Sequence, residues 1–198
     1  MLYNDCNGPT FYQFAAAVAG AAPALPPPPP PDPAVLAQQA RGVLDLPEPT
    51  ITRSPDAKNS DPALGGAPYT WVNLWTWVWT EPQTWAPVTV TVAAGGVSVT
   101  ATGTPVALVF EPGDGGDPVT CAGPGRPWTE RDRNDPPRGG GCGHMYQHVT
   151  PDGPLTSRVA IRWQVDWTSN TGAGGTLPEL VTAADSSFYV QQIQVVIR

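Results

Sequence analysis

From residue 69 onward the apolar residues recur at every second position, a period that dictates extended chain rather than helix. Trp75, Trp77 and Trp79 point to one side of a segment whose other side carries Leu74, Thr76, Val78 and Thr80, so both faces of that strand are in use. Val88, Val90 and Val92 alternate with threonines, Ala93-Ala94-Gly95-Gly96 turns the chain, and Val97, Val99 and Ala101 alternate again, which is a hairpin. Val106 to Phe110 gives the next strand and Pro118 to Cys121 a short one. Val159, Ile161, Trp163, Val165 and Trp167 share a face opposite Arg158, Arg162, Gln164 and Asp166, and Tyr189 to Ile197 is a last β-rich stretch. Roughly seven to nine short strands, separated by Gly, Pro, Asn and Asp turns with no helix among them, predict an all-β antiparallel β-sandwich.

The first third of the chain reads differently. Pro26 to Pro31, continued by Asp32-Pro33, favours an extended polyproline helix that acts as a semi-rigid spacer. Residues 1–33 are therefore expected to form a flexible N-terminal region ending in that spacer. Pro33 to Leu46 predicts a short helix, with Leu36, Ala40, Val43 and Leu44 at helical spacing behind Asp32. Leu46-Pro47-Glu48-Pro49 ends it, Thr50 to Thr52 reads as a brief strand, and Ser54 to Pro68 as a turn-rich loop. The division is thus 34–68 for helix and connection, and 69–198 for the sandwich.

Composition excludes some classes of function. A net charge of -7 does not suit a protein that tracks phosphates, which needs a basic face to release counterions, so no nucleic acid is expected as partner. The longest apolar stretch, Phe14 to Leu25, is Ala-rich, contains Pro23 and falls short of the length a membrane span requires. It is also a poor secretion signal, since Met1 to Thr10 has no Lys or Arg and does have Asp5. Lys58 is the single lysine against nine arginines, a bias typical of GC-rich coding sequence.

One motif stands out among the strands: Phe110-Glu111-Pro112-Gly113-Asp114-Gly115, answered later by Gly143-His144-Met145-Tyr146. Gly-Asp-Gly is a tight-turn signal, glycine supplying positive φ and Asp bonding nearby amides. Together with the strand order, these residues resemble the PKD domain, an immunoglobulin-like sandwich of extracellular proteins. Phe110 stands at the family's aromatic position and Glu111 at its first acid. Pro112 replaces the second aromatic, while Gly113, Asp114, Gly115, His144 and Tyr146 match. The chain from Leu36 onward is also similar to a group of uncharacterised actinobacterial secreted or surface proteins, through Leu46-Pro47-Glu48-Pro49-Thr50-Ile51, Thr76-Trp77-Val78-Trp79, Thr84-Trp85, Cys121-Ala122-Gly123-Pro124-Gly125 and Gly175-Thr176-Leu177-Pro178. The resemblance implies a secreted or cell-surface protein of structural or interaction type.

In such a setting Cys121 and Cys142 are expected to form a disulfide at the base of the loop they bracket. That loop, Gly123 to Gly141, has five glycines, four prolines and seven charged residues. A bridge there contributes about 3 kcal/mol by the loop-entropy estimate. Two metal readings compete. Cys121, Cys142, His144 and His148 offer zinc two thiolates and two imidazoles, but lack the closely spaced Cys-x2-Cys pair. Asp114 and Asp117 among Gly113, Gly115 and Gly116 offer oxygens to calcium, but too few of them. The expectation is no metal and no cofactor. Cys6 is left over, consistent with intermolecular pairing, a partner upstream or a free thiol.

Catalytic signatures are missing from the sequence: no Gly-x-Ser-x-Gly elbow, no phosphate-cradling Gly-x4-Gly-Lys, no His-Glu-x2-His. Glu81, Glu111 and Glu130 have no spacing that marks a hydrolase dyad. The sequence therefore reads as a non-enzyme that works through protein contacts at the cell envelope, with the loop 122–141 and the Trp-rich strand as candidate surfaces. The alternative is a carbohydrate-binding module in which Trp75, Trp77 and Trp79 form a flat stacking platform. Packing against the sheet or against the helix is the commoner fate of such rings.

Overall fold

The computed structural model describes residues 28–55 and 60–192. Cys6, the Ala-rich stretch before the prolines, and the residues after 192 in the last β-rich stretch lie outside the described residues.

Helix α1 spans Pro33–Gly42. It starts where the Asp32 carboxylate accepts the Ala34 N–H at 2.8 Å and Pro33, which has no N–H to leave unsatisfied, fills the first turn. It stops earlier than the periodicity suggests, at Gly42, because the Val43 N–H folds back onto the carbonyls of Ala40 and Arg41. Leu44 continues the apolar line all the same and remains buried.

Ten strands follow among the described residues: β1 Thr52–Ser54, β2 Ser60–Asp61, β3 Ala67–Trp71, β4 Trp75–Trp79, β5 Val88–Ala94, β6 Val97–Glu111, β7 Val119–Cys121, β8 Cys142–Met145, β9 Leu155–Ser169 and β10 Gly174–Gln191. They build two sheets. The smaller has the order β1-β4-β8, and the larger β2-β3-β10-β9-β6-β5, with β7 also pairing β6. Among the described residues all pairings are antiparallel except one, where Tyr69 to Trp71 of β3 runs parallel to Tyr189 to Gln191 of β10. The protein is thus all-β and sandwich-like, with one parallel seam that the sequence reading did not anticipate.

Three other expectations change. The segments Val97 to Ala101 and Val106 to Phe110 are one strand, β6, whose pairing with β9 slips between Pro105 and Ala107. Proline cannot donate to a ladder, so such an irregularity is where it is tolerated. The last strand begins at Gly174, well before Tyr189, and pairs with β9 almost throughout its length. The loop Ser54 to Pro68 contains β2 and the turn Pro62–Leu64, and the brief strand near Thr50 is displaced to Thr52–Ser54.

The slip in β6 decides how the core is divided. Before it, Val97, Val99 and Ala101 point to the inner face; after it, Leu108 and Phe110 do. The first set lies under α1 with Leu36, Ala37, Ala40, Leu44 and Val165. The second lies under the small sheet with Val78, Cys142, Val159, Ile161 and Trp163. One face of the large sheet is therefore covered by two lids in tandem, and the Leu44 and Leu46 side chains fill the joint over Gly103 and Trp163. Arg41 fastens the helix further, donating to the carbonyls of Pro178 and Glu179 at 3.0 and 3.1 Å where β10 itself slips register. Beside the second lid Arg53 is buried, with its guanidinium 4.4 Å from the Phe188 ring centroid and hydrogen bonds to the carbonyls of Pro55 and Tyr69.

Candidate interaction surface

The Gly-Asp-Gly turn follows β6 and meets β8. Gly113 has φ 86°, and a Cβ there would stand 2.1 Å from the Thr156 carbonyl oxygen, so both backbone sign and space require glycine. Asp114 Oδ1 accepts the Gly116 N–H at 3.0 Å, while Oδ2 lies 2.8 Å from His144 Nε2. The His144 ring stands edge-on to Tyr146 at 4.8 Å between centroids, and the buried Tyr146 hydroxyl donates to the Pro112 carbonyl at 3.0 Å. Burial pushes the Asp114 carboxyl up, but the His144 and Gly116 hydrogen bonds outweigh it and hold it below the usual carboxylate range. Burial raises the Tyr146 phenol well above its ordinary value, so it stays a neutral donor. Phe110 is buried in the core and Glu111 is exposed. Asp114, His144 and Tyr146 thus spend their polar groups on holding the turn to the sheet, which gives the corner a structural role.

Neither metal reading keeps its ligands. Cys121 and Cys142 are joined by a disulfide with Cα atoms 5.8 Å apart, so the two thiolates of the zinc set do not exist. His144 faces Asp114, and His148 falls beyond the end of β8 on an exposed turn rather than on the same strand face. The Asp114 oxygens proposed for calcium are taken by His144 and Gly116. Among the described residues no three His, Cys, Asp or Glu side chains are grouped to hold an ion.

The three tryptophans of β4 do share its outer face, yet they are not an open platform. Trp77 is 1% exposed, whereas Trp75 and Trp79 are half-buried. The cover is neither the sheet nor the helix but the loop 122–141 that the disulfide closes. Arg126 lays its guanidinium 4.5 Å from the Trp77 ring centroid, and a Cβ on Gly141 would stand 2.4 Å from that ring. The loop's other attachments run along the strand. Thr80 N–H donates to the Pro124 carbonyl at 2.9 Å, Trp75 N–H to Asn134 Oδ1 at 2.9 Å, and Asn134 Nδ2 to the Asn73 carbonyl at 2.9 Å. Gly125, at φ 75°, passes so close that a Cβ would lie 2.5 Å from the Val78 carbonyl oxygen.

Internal contacts stiffen the loop. Arg126 reaches Asp132 with two guanidinium nitrogens, at 2.6 and 2.9 Å, and Asp132 also accepts from the Thr129 N–H and hydroxyl at 2.8 Å each. The guanidinium, with those Thr129 donors, holds the Asp132 carboxyl far below the usual carboxylate range. Trp128 Nε1 donates to the Arg133 carbonyl at 3.0 Å. Sequence reading singled out the loop but missed Arg126, Asp132 and Asn134 as its fasteners. A signal existed in Thr129-Glu130-Arg131-Asp132, whose hydroxyl and carboxylate three residues apart have the spacing of a self-capped turn.

Two depressions flank the fastened loop. A cleft of about 630 Å³ lies between its arms, lined by Trp75, the disulfide and the glycines and prolines on either side. A smaller pocket of about 270 Å³ is walled by Trp79, Trp85, Pro82 and Pro127, with Glu81 and Thr80 as its polar groups. Between and beyond them Glu130, Arg131, Arg133, Asp135 and Arg138 are exposed. No described helix is long and apolar enough to cross a membrane. Comparison with protein-family models, curated proteins and solved structures finds no match.

Proposed function

We propose that this chain is a non-catalytic structural and interaction protein of the cell envelope or the secreted space, acting through protein contacts of an immunoglobulin-like, PKD-type module. The observation that carries this reading is the loop 122–141: charged at its crest, yet closed at its base by a disulfide and fixed from beneath, along β4, by a cation–π contact and hydrogen bonds. A loop ordered before binding loses little entropy on docking, which is what a recognition surface needs. Alternating acidic and basic residues on it give orientation and selectivity for a partner with the complementary pattern. The disulfide also suits an oxidising compartment, which supports the envelope or exterior as location. The Gly-Asp-Gly corner with His144 and Tyr146 supports the PKD resemblance.

The test is comparative capture from envelope extracts, using the oxidised chain and a variant with Glu130, Arg131, Arg133, Asp135 and Arg138 all replaced by Ser. A protein retained by the first and lost by the second is the expected result. A protein held equally by both, or none by either, counts against the loop as contact surface.

The carbohydrate reading survives only in altered form. Its three-ring platform loses the central ring, Trp77, to the loop, but Trp79 and Trp85 with Glu81 still wall a pocket that a single sugar ring fits. Glycan-array binding abolished by Trp79→Ala would put this reading first.

A further inference from the structure

We propose that the β5 edge of the large sheet pairs with the β5 edge of a second copy, giving a two-fold dimer with a continuous sheet. This surface is separate from the loop 122–141 and does not rest on the reading above.

Among the described residues β5 pairs on one side only, with β6. The hairpin turn is the two residues Gly95 and Gly96, with φ 53° and 82°, and Ala94 faces Val97 directly across it. In a two-residue hairpin the residues flanking the turn exchange both backbone bonds, and such pairs recur at every second position. Ala94, Val92, Val90 and Val88 therefore spend their N–H and C=O groups on β6. Thr89, Thr91 and Ala93 turn theirs outward, and all three residues are exposed.

Proteins normally guard such an edge with a lysine, a proline, a bulge or an inward charge. β5 has none of these: Val88-Thr89-Val90-Thr91-Val92-Ala93-Ala94 carries no charge and no proline, and its register with β6 is unbroken. The strand is also self-complementary. Placing Thr91 opposite Thr91 of a second copy sets Thr89 against Ala93 and Val90 against Val92. Each of the three outward residues then donates and accepts once, and all valines stay on one face. That face is half-buried under α1, where Val35 and, just past the helix end, Val43 are 55% and 60% exposed and extend the apolar border.

The described part of the N-terminal arm, Pro28 to Pro31, has no backbone donor with which to fill the edge. The described structure begins at Pro28, and Pro31 lies against Gly95, where a Cβ would meet its Cδ at 2.8 Å. Every residue from Pro26 to Pro31 lacks an N–H, so the stretch nearest the edge has no donors for it. A second copy supplies both donors and acceptors in register, in the isologous arrangement that closes on itself.

The experiment is multi-angle light scattering of the full oxidised chain over a dilution series, with amide hydrogen exchange at both ends of the series. The expected result is a mass rising toward twice that of one chain, with Thr89, Thr91 and Ala93 amides protected only at high concentration. Thr91→Pro removes an outward N–H that the monomer does not use, and Thr91→Lys adds the missing guard charge; each should weaken dimerisation at least about tenfold while circular dichroism stays unchanged. Added salt should strengthen the dimer, because each copy carries -7 and the interface itself has no charge to screen. A single-chain mass at every concentration overturns the proposal, as does a dimer indifferent to both substitutions. Protection of the three amides at all dilutions overturns it too, showing that the chain covers its own edge.

Discussion

At one end of the large sheet, Leu36, Ala37 and Ala40 of α1 rest on Val97, Val99 and Ala101. At the other end the small sheet covers Leu108 and Phe110, and its own outer ring, Trp77, lies beneath Gly125, Arg126 and Gly141. Both coverings leave large side chains out of water, but by different physics. The helix buries by non-directional apolar contact, which tolerates exchange of one aliphatic residue for another. The loop offers few apolar side chains beyond its prolines and Trp128, and covers Trp77 by close backbone approach, a stacked guanidinium and a covalent tie at its base. Such a lid depends on specific groups, and its failure should be local.

Trp77→Ala should make the largest difference, costing about 4 kcal/mol in denaturant unfolding, because it removes a fully buried indole from beneath a lid that cannot collapse onto the space. Trp77→Phe should cost clearly less, since the indole N–H has no protein acceptor among the described residues. Next comes the paired change Cys121→Ser with Cys142→Ser, expected to cost about 3 kcal/mol and to shift tryptophan emission to the red as the loop lifts. Leu36→Ala, expected to cost about 2.5 kcal/mol, tests the other side of the comparison: stability should fall with no change in emission from the loop-covered face. An equal emission shift from Leu36→Ala would mean that the two lids are not independent.

How much of this was readable in advance follows the same division. The helix lid announced itself through the spacing of Leu36, Ala40 and Leu44 and the cap at Asp32, because apolar periodicity is a one-dimensional record of a face. The strands carrying Val88 to Ala101 and Val159 to Trp167 were legible for that reason. The stretch from Gly174 to Phe188 was not, since Pro178 breaks the alternation between Leu177 and Leu180, Val181 faces outward, and Thr182 to Ser187 are all small or polar. The fate of Trp77 was hidden more deeply. Alternation placed it correctly on the face with Trp75 and Trp79, but what covers that face is a segment of Gly, Pro and charge distant in sequence, whose contacts leave no periodic trace. His144 and Asp114, by contrast, both stand in the motif that the sequence singled out, though only the geometry places them 2.8 Å apart.

Arg126→Ala makes a smaller test of the loop lid: the stacking on Trp77 and the ion pair with Asp132 are lost while the disulfide keeps the loop's base closed, so stability should fall by less than in the preceding variants. The least effect belongs to the corner that holds the end of β6 to β8 of the small sheet. Asp114 is held below the ordinary carboxylate range in the folded protein, so the unfolded chain binds more protons as pH falls through that range. Its stabilising contribution is therefore present above about pH 4 and is lost below it. Asp114→Asn should flatten the decline in thermal midpoint between about pH 5 and pH 3 without altering loop emission.

The account stands most directly on two amides, at the start of β4 and just past its end, that report the loop and not the strand ladder: Trp75, bonded to Asn134, and Thr80, bonded to Pro124. Hydrogen–deuterium exchange of these amides in the oxidised protein, repeated after reduction, measures whether the loop is a fixed lid. The expected result is slow exchange that becomes fast on reduction while the Val159 to Val165 amides of β9 stay protected. Fast exchange at Trp75 and Thr80 in the oxidised protein would contradict a pre-ordered loop and remove the basis for reading it as the contact surface.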